Sequence, residues 1–307
     1  MDIRQIEYFS AIVREGSFSR AARKLHIGQP ALSKQISALE RELGAELLVR
    51  LPEGVRPTLA GARMAEMGRT LLSYMDDIRS AVREAASSLA GTVRLGMSPS
   101  LVSALAGYLE DRFSREHPQV RVEIVEALPM FLAEWVEEGR LDLGVFTHQT
   151  TYAYPNLSVT AVGFDELLIV GKPGTLPPVG NRATPDALES LRLVLTPGFR
   201  DLLHAALEPG LVPDAIGSHT DSIHMVRDLV ARGDYSSVLP YAFVREDLEA
   251  GILSAVGFEP ALNRELVAVT RAGRQPAPAA RAVVEMVRVR LAELAEHRAA
   301  TGCGRLG

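Results

Sequence analysis

The most constraining feature of this chain is a short interruption between two helical patterns near residues 26–28. Before it, Ile6, Phe9 and Val13 recur at i, i+3 and i+7, so one apolar helix face is expected, with Asp2 as its cap and Gly16 placed to end it. Ser19 is expected to cap a short second helix carrying Ala21, Ala22 and Leu25. After His26-Ile27-Gly28 a third helix opens on Gln29-Pro30, since proline is tolerated in a first turn where its missing N–H leaves nothing unpaired. Leu32, Ile36, Leu39 and Leu43 form its apolar stripe, which leaves Gln29, Ser33, Lys34 and Ser37 on the opposite face. Two small alanines, a three-residue turn and a polar helix front make a helix-turn-helix, with an ordinary helical bundle as the alternative. In the first case the front of the third helix enters a major groove. Gln29 is then suited to adenine, and Ser33 or Lys34 to a base edge or a phosphate.

Charge is compatible with that reading without requiring it. The net charge of -5 speaks against coating nucleic acid by bulk attraction. Residues 1–90 carry thirteen Lys/Arg against eleven Asp/Glu, a balance of +2 that leaves -7 for the rest. Within the first part, Arg14, Arg20, Arg23, Lys24 and Lys34 face Glu15 alone, which suits either a phosphate-meeting patch or a solvated helical face.

The run EYFSAIVREGSFSRAARKLHIGQPALSKQISALERELGAELLVR, followed by GVRPTLAG, resembles the N-terminal signature of the LysR-type bacterial transcription regulators. A weaker resemblance continues to about residue 296. It implies an α/β fold class with an N-terminal α-helical winged helix-turn-helix and a two-lobed, periplasmic-binding-protein-like effector domain. By the same likeness Gln29, Pro30, Ser33 and Lys34 occupy DNA-reading positions, and Arg50 and Arg56 flank a wing along the DNA backbone. Three residues depart from the family pattern: Gly28 stands for a serine, Leu48 for a phenylalanine in the wing strand, and Glu53 for a wing-tip arginine. An acidic wing tip would repel phosphate, so a weaker wing contribution is expected.

Met64, Leu71, Met75, Ile78, Val82, Ala85 and Leu89 repeat at sevens, fours and threes, a seam of about 26 residues or roughly 39 Å of helix. Leu71, Met75, Ile78 and Val82 are the residues expected to meet a second copy, although the helix could instead pack on its own protein. Pairing two copies would bring two reading helices onto a two-fold DNA site. The expected division is residues 1–61 for the winged unit, 62–90 for the linker helix, 91–300 for the effector domain and 301–307 for a flexible tail holding Cys303. Lobe I takes about 91–162 and 267–300, and lobe II about 163–266.

From Gly91 the pattern changes to strands alternating with helices, which implies a parallel sheet with crossovers. TVRLGM, VRVEIVEA and LDLGVF read as strands, with helices at Pro99 to Glu116 and Met130 to Gly139 between them. LLIVG, LRLVLT, a strand near Ala215 to His219, SSVLP and ELVAVTR continue the series. Helices follow from Phe199, from Ser222 to Arg232 and from Ala279 to about Glu296, and the last strand and helix are expected to return to lobe I. Ligands of such folds bind at the carboxyl ends of strands, by helix N-termini. Ser98-Pro99-Ser100 occupies such a turn in the first lobe and Thr196-Pro197-Gly198-Phe199 the matching one in the second. Ser98, Ser100, Thr196 and Phe199 are therefore candidate effector contacts, or in the case of Ser98 and Thr196 merely N-caps. Phe146, Thr147 and His148 follow as weaker candidates, and Asp221-Ser222 as a helix cap.

Other chemistries find little footing. GMSPS lacks the second glycine of a nucleophile elbow, the seven histidines show no metal spacing, and no phosphate-binding glycine loop follows a strand. No enzyme activity, cofactor or metal is expected. A transport solute receptor would share the lobes but has no use for a helix-turn-helix, and an architectural DNA protein has no use for two hundred residues of receptor. The expected partners are double-stranded DNA, an anionic or aromatic small effector, and the chain itself as homodimer or homotetramer, with RNA polymerase as a further contact. A non-basic start, no run near 20 apolar residues and one cysteine lead to an expected cytoplasmic location.

Overall fold

The computed structural model describes residues 1–52, 54–85, 90–148, 154–176, 182–212, 220–273 and 275–301, without side chains at 73, 76, 77 and 79–85. The readings of Glu53, of Val82, Ala85 and Leu89 in the seam, of the strand near Ala215 to His219, and of Cys303 lie outside the described residues. Two compact units emerge: Met1–Ser88 with Glu137–Arg140, and Leu89–Val136 with Leu141–Gly307.

The smaller unit begins with α1 (Ile3–Glu15), where Asp2 and Gln5 form a reciprocal capping box and Gly16 closes the helix in the left-handed region at φ 58°. α2 (Phe18–Lys24) is capped by Ser17, which corrects the expectation for Ser19. The cap must be extended and stand three residues before the N–H it satisfies. Ser17 is extended and accepts from Arg20 N, whereas Ser19 already lies inside the first turn. α3 (Gln29–Leu43) starts at Gln29-Pro30 as its sequence predicts. Leu32, Ile36 and Leu39 are buried against Phe9, Ile12, Ala21 and Ala22. Leu43 is exposed, contrary to the stripe, because the chain turns at Gly44 and Leu47 fills the core instead.

β1 (Leu48–Leu51) and β2 (Gly54–Pro57) form an antiparallel hairpin, the wing. α4 (Leu59–Ala85) then starts earlier than residue 62, since Thr58 Oγ1 accepts from Gly61 N at 3.0 Å. Gly61 is obligatory at this junction: a Cβ there would lie 1.9 Å from Leu47 O.

The larger unit runs β3 (Gly91–Met97), α5 (Pro99–Glu116), β4 (Val120–Glu126), α6 (Pro129–Glu137), β5 (Leu143–Thr147) and β6 (Leu157–Gly171). It continues with β7 (Arg182–Ala183), a 3-10 turn at Pro185–Ser190, α7 (Pro197–Ala206), α8 (Ile223–Arg232), β8 (Ser237–Pro240), α9 (Tyr241–Glu249), β9 (Ser254–Phe258), β10 (Asn263–Arg271) and α10 (Pro278–Thr301). Strand order is β4-β3-β5-β10-β6-β9-β7, with β8 also on β6. β3, β4 and β5 are parallel, but β10 runs antiparallel to both β5 and β6, and β6 antiparallel to β8 and β9, so the sheet is mixed. Two long strands, β6 and β10, pass from one lobe to the other, and their register shifts between Leu266 and Val267. This crossing of strands between lobes requires the antiparallel pair that simple alternation of strands and helices does not reveal.

LRLVLT forms no regular strand. Leu193 makes a single parallel bridge to Ser236, because the edge is held by isolated bonds such as Ser237 Oγ to Val194 O at 2.7 Å. Leu95, Leu101, Leu105, Val283, Val287 and Leu291 share one core, so α10 packs on the first lobe. The second lobe has two cores, one around Val226, Val230 and Leu239, the other around Leu167, Leu188 and Val238. Among the described residues no helix is long and apolar enough to cross a membrane.

Candidate functional site

The front of α3 is held ready rather than buried. Gln29, Pro30, Lys34 and Ser37 are exposed and Ser33 half-buried. Ser19 Oγ donates to Gln29 Oε1 at 2.9 Å, which fixes one end of the amide and leaves Nε2 as a donor. The turn before α3 is tight, with His26 in the left-handed region at φ 55° and Ile27 N bonded to Ala22 O at 3.0 Å. From the wing, Arg50 donates to Ser33 Oγ at 3.2 Å while its guanidinium lies 4.9 Å from the Phe18 ring centroid. A cation is thus packed against the exposed front of α3. Arg56 is exposed on the neighbouring strand and is itself engaged by a partner.

Arg20 stands slightly apart from this face, since it donates to the Glu15 carbonyl at the end of α1, where a cation suits the helix dipole. Lys24 pairs with Glu15 at 2.9 Å, and its hydrogen bond holds that carboxyl below the usual carboxylate range. On α4, Met67, Leu71, Tyr74 and Ile78 recur at four, three and four and are between 41% and 65% exposed, whereas Met75 is half-buried. The apolar stripe facing outward is therefore turned slightly from the one centred on Met75.

In the larger unit the candidates converge on a residue the sequence reading missed. Arg264, on β10, is fully buried, donates from Nε and Nη2 to Asp165 Oδ2 on β6 at 3.2 and 2.9 Å, and from Nη1 to Ser100 Oγ at 2.9 Å and Thr147 Oγ1 at 3.1 Å. Phe199 covers it with a ring centroid 5.6 Å from the guanidinium carbon. Asp165 also accepts from Ala242 N, at the start of α9, at 3.1 Å. Burial pulls the guanidinium below its ordinary pKa and Asp165 opposes that pull. Because arginine starts so high, it stays charged.

Each hydroxyl that accepts from this cation keeps its own proton to donate. Ser98, on the same turn as Ser100, is 6% exposed, caps α5 with its backbone alone, and its Oγ has no hydrogen-bond partner. The cluster is accordingly a set of hydroxyl donors backed by a buried positive charge, suited to an anionic acceptor. Thr196 is committed differently: its Oγ1 accepts from Phe199 N at 3.4 Å as the cap of α7. Phe146 does not join the cluster. It is fully buried on the other face of β5, with its ring 6.1 Å from Tyr154 and packed among Leu132, Val136 and Val269. His148 Nδ1 is 2.7 Å from Glu265 Oε2, and Ser222 caps α8 through Met225 N. Among the described residues no group of His, Cys, Asp or Glu could hold a metal ion.

The signal for Arg264 and Asp165 was present but unpaired: each is a charge beside an apolar strand run, NRELVAV and FDELLIV, 99 positions apart in the chain. A charge within such a run needs a buried partner. Spacing along the chain cannot say which.

Comparison with known proteins agrees in extent with this architecture. Residues 3–62 match the model of the bacterial regulatory helix-turn-helix proteins of the lysR family, and residues 86–292 that of the LysR substrate binding domain. The chain is 33% identical over 288 residues to the SDS degradation transcriptional activation protein of a Pseudomonas species, covering 92% of this chain and 94% of that one. It is 38% identical over 144 residues, 47% of each chain, to the transcriptional regulator BenM of Acinetobacter baylyi. A full-length OxyR variant from Pseudomonas aeruginosa has the same fold, with a TM-score of 0.74 at 22% identity over 95% of this chain and 94% of that one.

Proposed function

The chain belongs to the LysR family of DNA-binding transcription regulators with an effector-binding domain, and from that premise we propose how its parts divide the work. Residues 1–61 read DNA, the helix that follows joins two copies, and the lobed unit binds the effector. Gln29 and Ser33 meet base edges, while Lys34, Ser37, Arg20, Arg50 and Arg56 meet phosphates. The exposed amide of Gln29, oriented by Ser19, is the observation that carries this assignment. Leu71 and Ile78 lie in the pairing seam. The working protein is a homo-oligomer in the cytoplasm and catalyses no reaction.

The effector site lies between the lobes at Ser98, Ser100 and Thr147, beneath Phe199. Its hydroxyls and the cation behind them favour a small anion, and Phe199 favours an aromatic or otherwise flat body on that anion. Replacing Gln29 with Ala tests the DNA assignment in a gel-retardation assay on a natural operator and on unrelated DNA. Specific binding should weaken by roughly 1–3 kcal/mol with non-specific binding nearly intact. Equal losses on both DNAs would remove Gln29 from the base readers.

A further inference from the structure

The polar side chains at the front of α3 have their oxygens already engaged, so what they offer to a groove is hydrogen-bond donors. Ser19, in the first turn of α2, donates from Oγ to Gln29 Oε1 at 2.9 Å, which joins two exposed side chains across the turn. Gln29 Nε2, with two N–H groups, has no partner among the described residues. One helical turn further on, Ser33 Oγ accepts from Arg50 Nη2 at 3.2 Å. Arginine can only donate, so this hydroxyl spends its oxygen on Arg50 and keeps its proton to give. Lys34 is exposed beside them and carries donors alone.

We propose that the front of α3 selects keto bases, guanine and thymine, and that Ser19 is the positioning residue that makes Gln29 do so. This rests on Gln29 and Ser33 meeting base edges. In the major groove guanine shows N7 and O6 and thymine shows O4, all of them acceptors, whereas cytosine shows an amino donor and adenine a donor beside an acceptor. A glutamine free to turn suits adenine because it offers both ends of its amide at once. With Oε1 held by Ser19, only the N–H end is offered, and the adenine amino group would meet another donor. Ser33 and Lys34 apply the same filter to the bases they reach.

Selection of duplexes from a randomised pool by the full-length protein, repeated with Gln29→Ala, locates the base pair that Gln29 reads as the one whose preference is lost. At that pair the acceptors of the keto base are weakened one at a time, with 6-thioguanine and 7-deazaguanine for guanine or 4-thiothymine for thymine, and the amino group of the partner base is removed with 2-pyrimidinone or purine. In gel retardation at least one acceptor change should weaken wild-type binding about fivefold or more, the size of one net hydrogen bond, while loss of the amino group should change it less than about twofold.

Ser19→Asp offers acceptors only, so it should turn the amide round, present Oε1 and move the selected base on that strand to one with an amino group. Ser19→Thr keeps the donor and should keep the preference. Both are read as ratios between bases, which a general loss of affinity from the added charge does not alter. If Gln29→Ala keeps every preference, the assignment of Gln29 as a base reader falls and this proposal falls with it. If Gln29→Ala loses a preference but binding there depends on the amino group and on none of the acceptors, or if Ser19→Asp selects the same base as the wild type, the proposal is overturned and the assignment stands.

Discussion

Two residues at matching turns, Ser98 and Thr196, show how the same residue type is put to different uses. Both precede a proline at a helix start and both are buried. Thr196 spends its oxygen on Phe199 N, whereas Ser98 Oγ has no partner. The consequences of removing them should therefore separate. Thr196→Val loses a cap, which lowers stability by about 1 kcal/mol and leaves effector affinity near normal. Ser98→Ala loses no bond within the protein, so its melting temperature should hold while affinity for an anionic effector falls by roughly 1–3 kcal/mol. Calorimetric titration and thermal unfolding of both variants check this, and an unchanged affinity in Ser98→Ala would take that hydroxyl out of the site.

Among the elements, α4 illustrates what periodicity can and cannot resolve. Repeats at three and four announce a long helix with one apolar stripe, and the helix is there. Two adjacent stripes satisfy nearly the same spacing, since neighbouring positions differ by only about 100° around a helix. Packing of the helix start decides between them: Gly68 lies so close to Ile6 of α1 that a Cβ would come within 3.0 Å of Ile6 Cγ2, which turns Met67, Leu71, Tyr74 and Ile78 outward. If this outward stripe is the pairing seam proposed above, Leu71→Asp should place a charge in it and dissociate the oligomer in sedimentation experiments. A normal oligomer carrying that substitution would remove the pairing role of this stripe.

For the lobed unit as a whole, the decisive interaction is the buried Arg264–Asp165 pair, which joins the two crossing strands and ties Ser100, Thr147 and the start of α9 to one network. Removing one partner strands the other charge. Arg264→Met should cost roughly 3–5 kcal/mol in urea unfolding, while the double change with Asp165→Leu should cost clearly less than the two single changes added together. Strict additivity would show that the pair contributes no coupling.

Local chemistry was enough to reveal the helix-turn-helix and most strands and helices of the lobes, while the wing was expected only from the family resemblance. Caps, prolines in first turns and apolar spacing act within a few residues, and those residues stand in order along the chain. The placing of Gln29, Ser33 and Lys34 together on one helix face was legible for that reason. Tertiary structure alone decided that β6 and β10 run antiparallel through both lobes, that Phe146 faces the core while Thr147 beside it faces the cluster, and that Arg264 finds Asp165. These outcomes depend on contacts between segments far apart in the chain, where burial forces a charge to find its partner and strand pairing sets which face each side chain takes.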